Sequence, residues 1–160
     1  MDINNFQRVG SLSNAHVGKD FEYVANSYFS KQYKHITLGY KIPIGVRERK
    51  KEHLFDLGCN DPSEGKIIVE CKSHTWTASG NVPSAKITVW NEAMYYFHLA
   101  PKDYRKVFFI LKDYSTKRSE TLGEYYIRTH SHLIPEDVEI MEYDADEKTV
   151  RTLRGRILVK

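Results

Sequence analysis

The chain predicts an α/β fold, a mixed β-sheet flanked by helices in the order helix, three strands, helix, strand, strand. Three observations lead there. Two segments carry apolar residues at helical spacing. Between them lie three strand-like runs joined by short turns, which makes an antiparallel meander. The second helix is then long enough to cross over and bring the next strand in parallel.

Residues 1–12 read as a loose leader. Ser13 and Asn14 offer capping side chains, and Val17, Phe21, Val24, Ala25 and Tyr28 form one apolar stripe of a helix reaching about residue 31. Residues 35–46 alternate as a strand through Ile36, Leu38, Tyr40, Ile42 and Ile44. A polar turn follows at 47–52, and the second strand spans 54–59. Asp61-Pro62-Ser63-Glu64-Gly65 is a turn signal, and residues 66–72 form the third strand. After a polar loop at 73–83, the stripe Ala85, Val89, Ala93, Tyr96, Phe97 and Ala100 marks the second helix, stopped by Pro101. Residues 107–111 are continuously apolar, as in a strand covered on both faces. Residues 124–129 look like a further strand.

The sequence has 160 residues, which suits one domain, and its eleven tyrosines favour a packed core over disorder. The net charge of +3 says less than its distribution. Lys41, Arg47, Arg49, Lys50 and Lys51 cluster before the second strand, Arg151, Arg154, Arg156 and Lys160 load the tail, and an acidic run fills residues 136–147. Such segregation can build a basic face for polyanions, or simply mark solvated loops and strand edges. With no bilayer-length apolar run and no signal-peptide pattern, the expectation is a cytoplasmic protein without a membrane partner. Cys59 and Cys71 make no CxxC pair and read as reduced, buried residues.

The informative segment is Phe55-Asp56-Leu57-Gly58 followed by Ile67-Ile68-Val69-Glu70-Cys71-Lys72. Alternation sends Glu70 and Lys72 to one face of the third strand and Cys71 to the other. It likewise groups Phe55, Leu57 and Cys59 on one face of the second strand, under a helix, with Asp56 on the opposite face. An acid and an amine ending a β-branched apolar run are costly unless paired or bound to something. With Asp56 across from or diagonal to Glu70, two carboxylates come within reach of one cation. Oxygen ligands and a site left open for phosphate suit Mg²⁺, with Mn²⁺ as substitute. Lys72 beside them would orient a water and offset charge developing on phosphorus. Alternatively, Glu70 and Lys72 are an exposed edge pair and Asp56 caps a turn.

These residues resemble the PD-(D/E)xK nuclease superfamily, in which Asp56, Glu70 and Lys72 would be the catalytic residues, with Phe55 in place of the proline. Gly18-Lys19-Asp20-Phe21-Glu22 is similar to the G-x-x-F-E signature of Mrr-type restriction endonucleases. That resemblance, shared with archaeal Holliday junction resolvases, implies a restriction-endonuclease-like core and adds Glu22 to Asp56 and Glu70 as a metal ligand. It implies an endonuclease hydrolysing double-stranded or branched DNA, usually as a homodimer. Arg47, Arg49, Lys50, Lys51, His74 and Lys86 are the expected DNA contacts. The alternatives are a Holliday junction resolvase, a catalytically inactive DNA-binding or assembly module, or an α/β protein with a different ligand. Trp76 would either stack on a base or anchor its own loop. His130 and His132 lack partners for zinc and read as a surface turn.

Overall fold

The computed structural model describes residues 14–157, so the expected leader lies outside the described residues. Helix α1 is Asn14–Phe29, followed by strands β1 Thr37–Ile44, β2 Lys51–Asp61 and β3 Gly65–Lys72. Helix α2 is Ser84–Leu99, and strand β4 is Arg105–Leu111. A small hairpin, β5 Tyr114–Ser115 and β6 Glu120–Thr121, leads into helix α3 Leu122–His130, and β7 Val138–Asp144 and β8 Thr149–Arg154 close the chain. Six strands make one mixed sheet in the order β1-β2-β3-β4-β7-β8. The meander β1-β2-β3 is antiparallel, β3, β4 and β7 run parallel, and β8 returns antiparallel.

The sheet separates two cores. On one face, Phe21, Ala25 and Phe29 of α1 pack over Leu57, Cys59, Ile67, Val69 and Phe109. On the other, Trp90, Met94 and Phe97 of α2 and Tyr126 of α3 pack over Ile68, Phe108 and Ile110. Strand β4 thus feeds both cores, and Val107 through Leu111 are all fully buried, as their unbroken apolar run requires. Helix α2 is rotated from the expected stripe. Its buried residues are Ile87, Trp90, Ala93, Met94 and Phe97, while Val89 is 38% exposed, because the large indole of Trp90 decides which way the helix faces.

The strand expected at 124–129 is instead part of helix α3. The Thr121 hydroxyl accepts the Glu124 backbone N–H and the Glu124 carboxylate accepts that of Thr121, a capping box that starts a helix. Leu122, Gly123 and Tyr126 then share its buried side. Gly123 lets the helix close on the sheet, since a β-carbon there would stand 2.6 Å from Ile110 Cδ1. This helix supplies the second parallel crossover, from β4 to β7.

Four acids of the run pair with cations of the fold, and one of those cations, Arg151, comes from the basic tail. Glu142, 1% exposed, accepts from Arg151 at 2.7 Å and from the Thr121 hydroxyl at 2.6 Å. Glu139 holds Arg105 through both carboxylate oxygens. Arg154 donates to the carbonyls of Pro135 and Val138. Both cysteines are free and buried, and Cys59 lies opposite Ile67. Among the described residues, no helix is long and apolar enough to cross a membrane.

Candidate active site

Strand β2 does not keep one face throughout. Leu57 and Cys59 pack under α1, but Phe55 packs on the α2 side of the sheet, so the expected grouping of all three fails at Asp56. The reversal has a visible cause. The β2–β3 ladder ends at Leu57↔Val69, and one residue earlier Asp56 Oδ2 accepts the Cys71 N–H at 2.7 Å. A side chain thus takes the place of a backbone partner and wedges the strands apart. On the neighbouring strand, Gly39 has φ of 72° and lies between the pairs Leu38↔Leu57 and Tyr40↔Phe55. Both strands bend at the same level, where only glycine turns left-handed without strain.

Glu70 and Lys72 project together on the α2 side, as alternation demands. Glu70 is 6% exposed; its Oε2 lies 3.7 Å from Lys72 Nζ and its Oε1 lies 3.4 Å from His53 Nε2. Burial raises the Glu70 carboxyl above its ordinary range, and the Asp56 charge adds to that, against the opposing pull of His53 and Lys72. A cleft of about 230 Å³ is lined by His53, Asp56, Glu70, Lys72, Glu92 and Tyr96, among others.

Glu22 comes to Asp56 from the other layer. It lies on α1 one residue past Phe21, and Lys19 sits 3.7 Å away. Its carboxyl is pushed up to about 7, first by burial and then by the charge and hydrogen-bonding proximity of Asp56. Asp56 therefore has a carboxylate neighbour on each side, Glu22 from the helix and Glu70 from β3. Such an arrangement is relieved by a proton or a cation, and an all-oxygen acidic set suits a hard divalent ion. The three carboxylates approach in pairs: among the described residues, they do not bring three ligand atoms within 4.8 Å of one another.

A group that does meet that distance is His35, Asp61 and Glu64, at the other end of the β2–β3 hairpin. His35 Nδ1 is 3.3 Å from both carboxylates, Asp61 also accepts from Ser63, and Glu64 from the His35 backbone. These bonds tie the turn to the segment before β1.

The expected DNA contacts fall in three places. Arg47, Arg49, Lys50 and Lys51 are exposed at the β1–β2 turn, two residues from His53 at their nearest, with Lys50 Nζ on the Gly45 carbonyl at 2.6 Å. Lys86 is exposed in the first turn of α2. His74 is different. Its Nδ1 accepts from Trp90 Nε1 at 2.8 Å, and burial, then Lys86 and Lys72, push its pKa down to about 4. The ring is neutral near pH 7 and could meet phosphate only as an Nε2–H donor. Trp76 anchors its own loop, donating its backbone N–H and its indole N–H to Asp113. His53 was not expected from the sequence, although counting back by two from Phe55 puts it on the same face.

No protein-family model and no curated protein sequence matches the chain. The solved structure of SSO0001 aligns with 91% of this chain at 9% identity and a TM-score of 0.33; the chain spans 55% of that protein's length. A likeness that weak carries no argument about fold or function.

Proposed function

We propose that the chain is a metal-dependent endodeoxyribonuclease with a restriction-endonuclease-like core, Asp56, Glu70 and Lys72 being its catalytic residues. The observation that carries this reading is the Asp56 wedge. By accepting the Cys71 N–H, Asp56 leaves the regular ladder and joins Glu70 and Lys72 along one cleft. A purely structural aspartate needs no acidic neighbours on both sides of a sheet.

A divalent cation held by Asp56 and Glu70, with Glu22 in support, would supply Lewis-acid stabilisation of charge on the phosphate. The protein's own groups do the rest. The Cys71 N–H holds Asp56 in one orientation, so its carboxylate is placed at the cleft without conformational search. Lys72 holds an ammonium at the cleft wall, where it orients the attacking water and neutralises charge growing on the phosphate oxygens. The exposed cations at 47–51 and Lys86 grip flanking phosphates, so affinity falls steeply with salt. One site per chain cuts one strand, and a symmetric homodimer is the simplest route to both.

The test is plasmid nicking by the wild type and by Lys72→Ala, with and without Mg²⁺ or Mn²⁺. Loss of nicking with DNA binding and fold retained supports the reading. Equal rates for the two proteins defeat it. Comparing a four-way junction with linear duplex then separates a resolvase from a restriction-type enzyme.

A further inference from the structure

We propose that His35, Asp61 and Glu64, at the end of the β2–β3 hairpin away from the cleft, form a Zn²⁺ site that clamps the segment entering β1 to the β2–β3 turn. The site shares no residue with the proposed nuclease centre and stands or falls without it. Three observations lead to it.

The first is convergence. One ligand atom from each of the three residues lies within 4.8 Å of the other two, and no other group of His, Cys, Asp or Glu among the described residues does this. The second is spacing. His35 Nδ1 stands 3.3 Å from Asp61 Oδ2 and 3.3 Å from Glu64 Oε1. A single ring N–H points in one direction and cannot serve two acceptors equally, whereas an ion among the three atoms serves all of them. Donors held tetrahedrally at about 2.0–2.1 Å from Zn²⁺ are separated by about 3.3–3.4 Å, which both pairs match. The third is orientation. Asp61 Oδ1 accepts the backbone N–H and the hydroxyl of Ser63. Glu64 Oε2 accepts the His35 backbone N–H at 3.1 Å, with the buried Cys59 Sγ 3.9 Å away. Each carboxylate is therefore anchored through one oxygen and turns the other to the imidazole, as outer bonds do for metal ligands. The Ser63 bonds also hold the Asp61 carboxyl below its ordinary range, so it stays an anion.

The donor set then decides the ion. Mg²⁺ and Ca²⁺ are taken by oxygen ligands, and one imidazole nitrogen with two carboxylates suits Zn²⁺ better. Three protein donors leave the fourth position to water. The His35 side chain is 67% exposed, so the ion enters directly from solvent. Because the three donors meet only in the folded chain, bound Zn²⁺ stabilises the native state.

Calorimetric titration of the full chain with Zn²⁺, without DNA, tests this. All proteins carry Glu70→Gln, so that the cleft carboxylate does not contribute. We expect one Zn²⁺ per chain, Mg²⁺ and Ca²⁺ binding at least ten-fold more weakly, and a loss of about ten-fold or more in Zn²⁺ affinity on adding His35→Ala. Zn²⁺ should also raise the melting temperature of the parent and not that of the His35→Ala protein. Absence of Zn²⁺ binding, binding that His35→Ala leaves unchanged, or equal affinity for Mg²⁺ or Ca²⁺ overturns the inference. A second readout needs no variant at position 35. Proton–nitrogen correlation spectra of the imidazoles should show His35 Nδ1 shifting as Zn²⁺ is added while Nε2 keeps its proton, and an unmoved His35 Nδ1 rejects the site.

Discussion

Two regions of the same sheet bury charge in opposite ways. At the β4–β7–β8 side each buried carboxylate has its own cation: Glu139 takes both arms of Arg105, and Glu142 takes Arg151 with a hydroxyl beside it. At the β2–β3 side, carboxylates are set against each other. Glu22 lies against Asp56, and Glu70 feels the Asp56 charge while sharing one lysine and one histidine. The first arrangement is complete within the chain. The second carries excess negative charge at low dielectric, and folding alone gains nothing from it. Perturbed acids of this kind in a cleft make it a candidate site, the one on which the proposed function rests.

The contrast breaks first at Glu70. Glu70→Gln removes a charge whose carboxyl is raised by burial, so the variant should melt no lower than wild type at pH 8. Its nicking rate should nevertheless fall by about 10²–10³-fold. Thermal melting and plasmid nicking on one preparation read both quantities. A variant that loses stability but keeps its rate would make Glu70 a structural acid like Glu142.

The opposite pattern is expected at Arg151. Replacing it by alanine strands the Glu142 carboxylate, 1% exposed, with the Thr121 hydroxyl as its remaining close partner. The loss should be about 2–3 kcal/mol, reduced from the range for fully buried pairs because Arg151 itself is exposed. Cleavage per folded molecule should not change. Urea denaturation with a parallel nicking assay checks it.

A smaller effect tests the bend that joins the two layers. Gly39→Ala forces a β-carbon into a left-handed residue, costing about 1–2 kcal/mol. The steric surroundings are ordinary, the nearest atom to the new carbon being Leu54 Cδ1 at 3.5 Å. If the bend positions Asp56, nicking should fall by more than the unfolded fraction accounts for. A rate that tracks the folded population would show that the Asp56–Cys71 bond sets the bend without Gly39.

What the sequence revealed, and what it hid, follows the range of the interactions involved. Helix α1, the meander and the α2 crossover rest on local periodicity and short turns, and all were legible. So was the shared direction of Glu70 and Lys72, two residues apart on one strand. The reversal at Asp56 was not, because it depends on a side chain from β2 reaching the backbone of β3. Alternation assumes an unbroken strand, and that bond breaks it. This also hid His53, whose place in the cleft follows only once Phe55 has changed sides. Helix α3 was misread for a different reason: Tyr125, Ile127 and Thr129 alternate and have strand-favouring side chains. The opposing signal, Thr121 three residues before Glu124, was present and should outweigh propensity. The pairing of the acidic run with Arg151 is tertiary, and charge counts along the chain cannot show it.

The subtlest distinction lies in pH. Glu22 is raised to about 7 in the folded chain, whereas in the unfolded chain it titrates near the ordinary glutamate value of about 4.3. A carboxyl raised by folding binds its proton more tightly in the native state, so its contribution is fully present below the unfolded value. That contribution is lost as pH climbs through about 7. Glu22→Gln cannot ionise and should therefore gain on the wild type as pH rises, with the difference opening between about pH 4.5 and 8 and closing below it. Because the side chain is 23% exposed and solvent screens part of the effect, the gain at pH 8 should be modest, about 2–4 °C in Tm. Adding Mn²⁺ at pH 8 should then stabilise the wild type more than the variant, since the ion would neutralise the Glu22 carboxylate that lies against Asp56. Parallel melting curves with pH, or equal Mn²⁺ stabilisation of both proteins, would instead class Glu22 with the paired acids of β7.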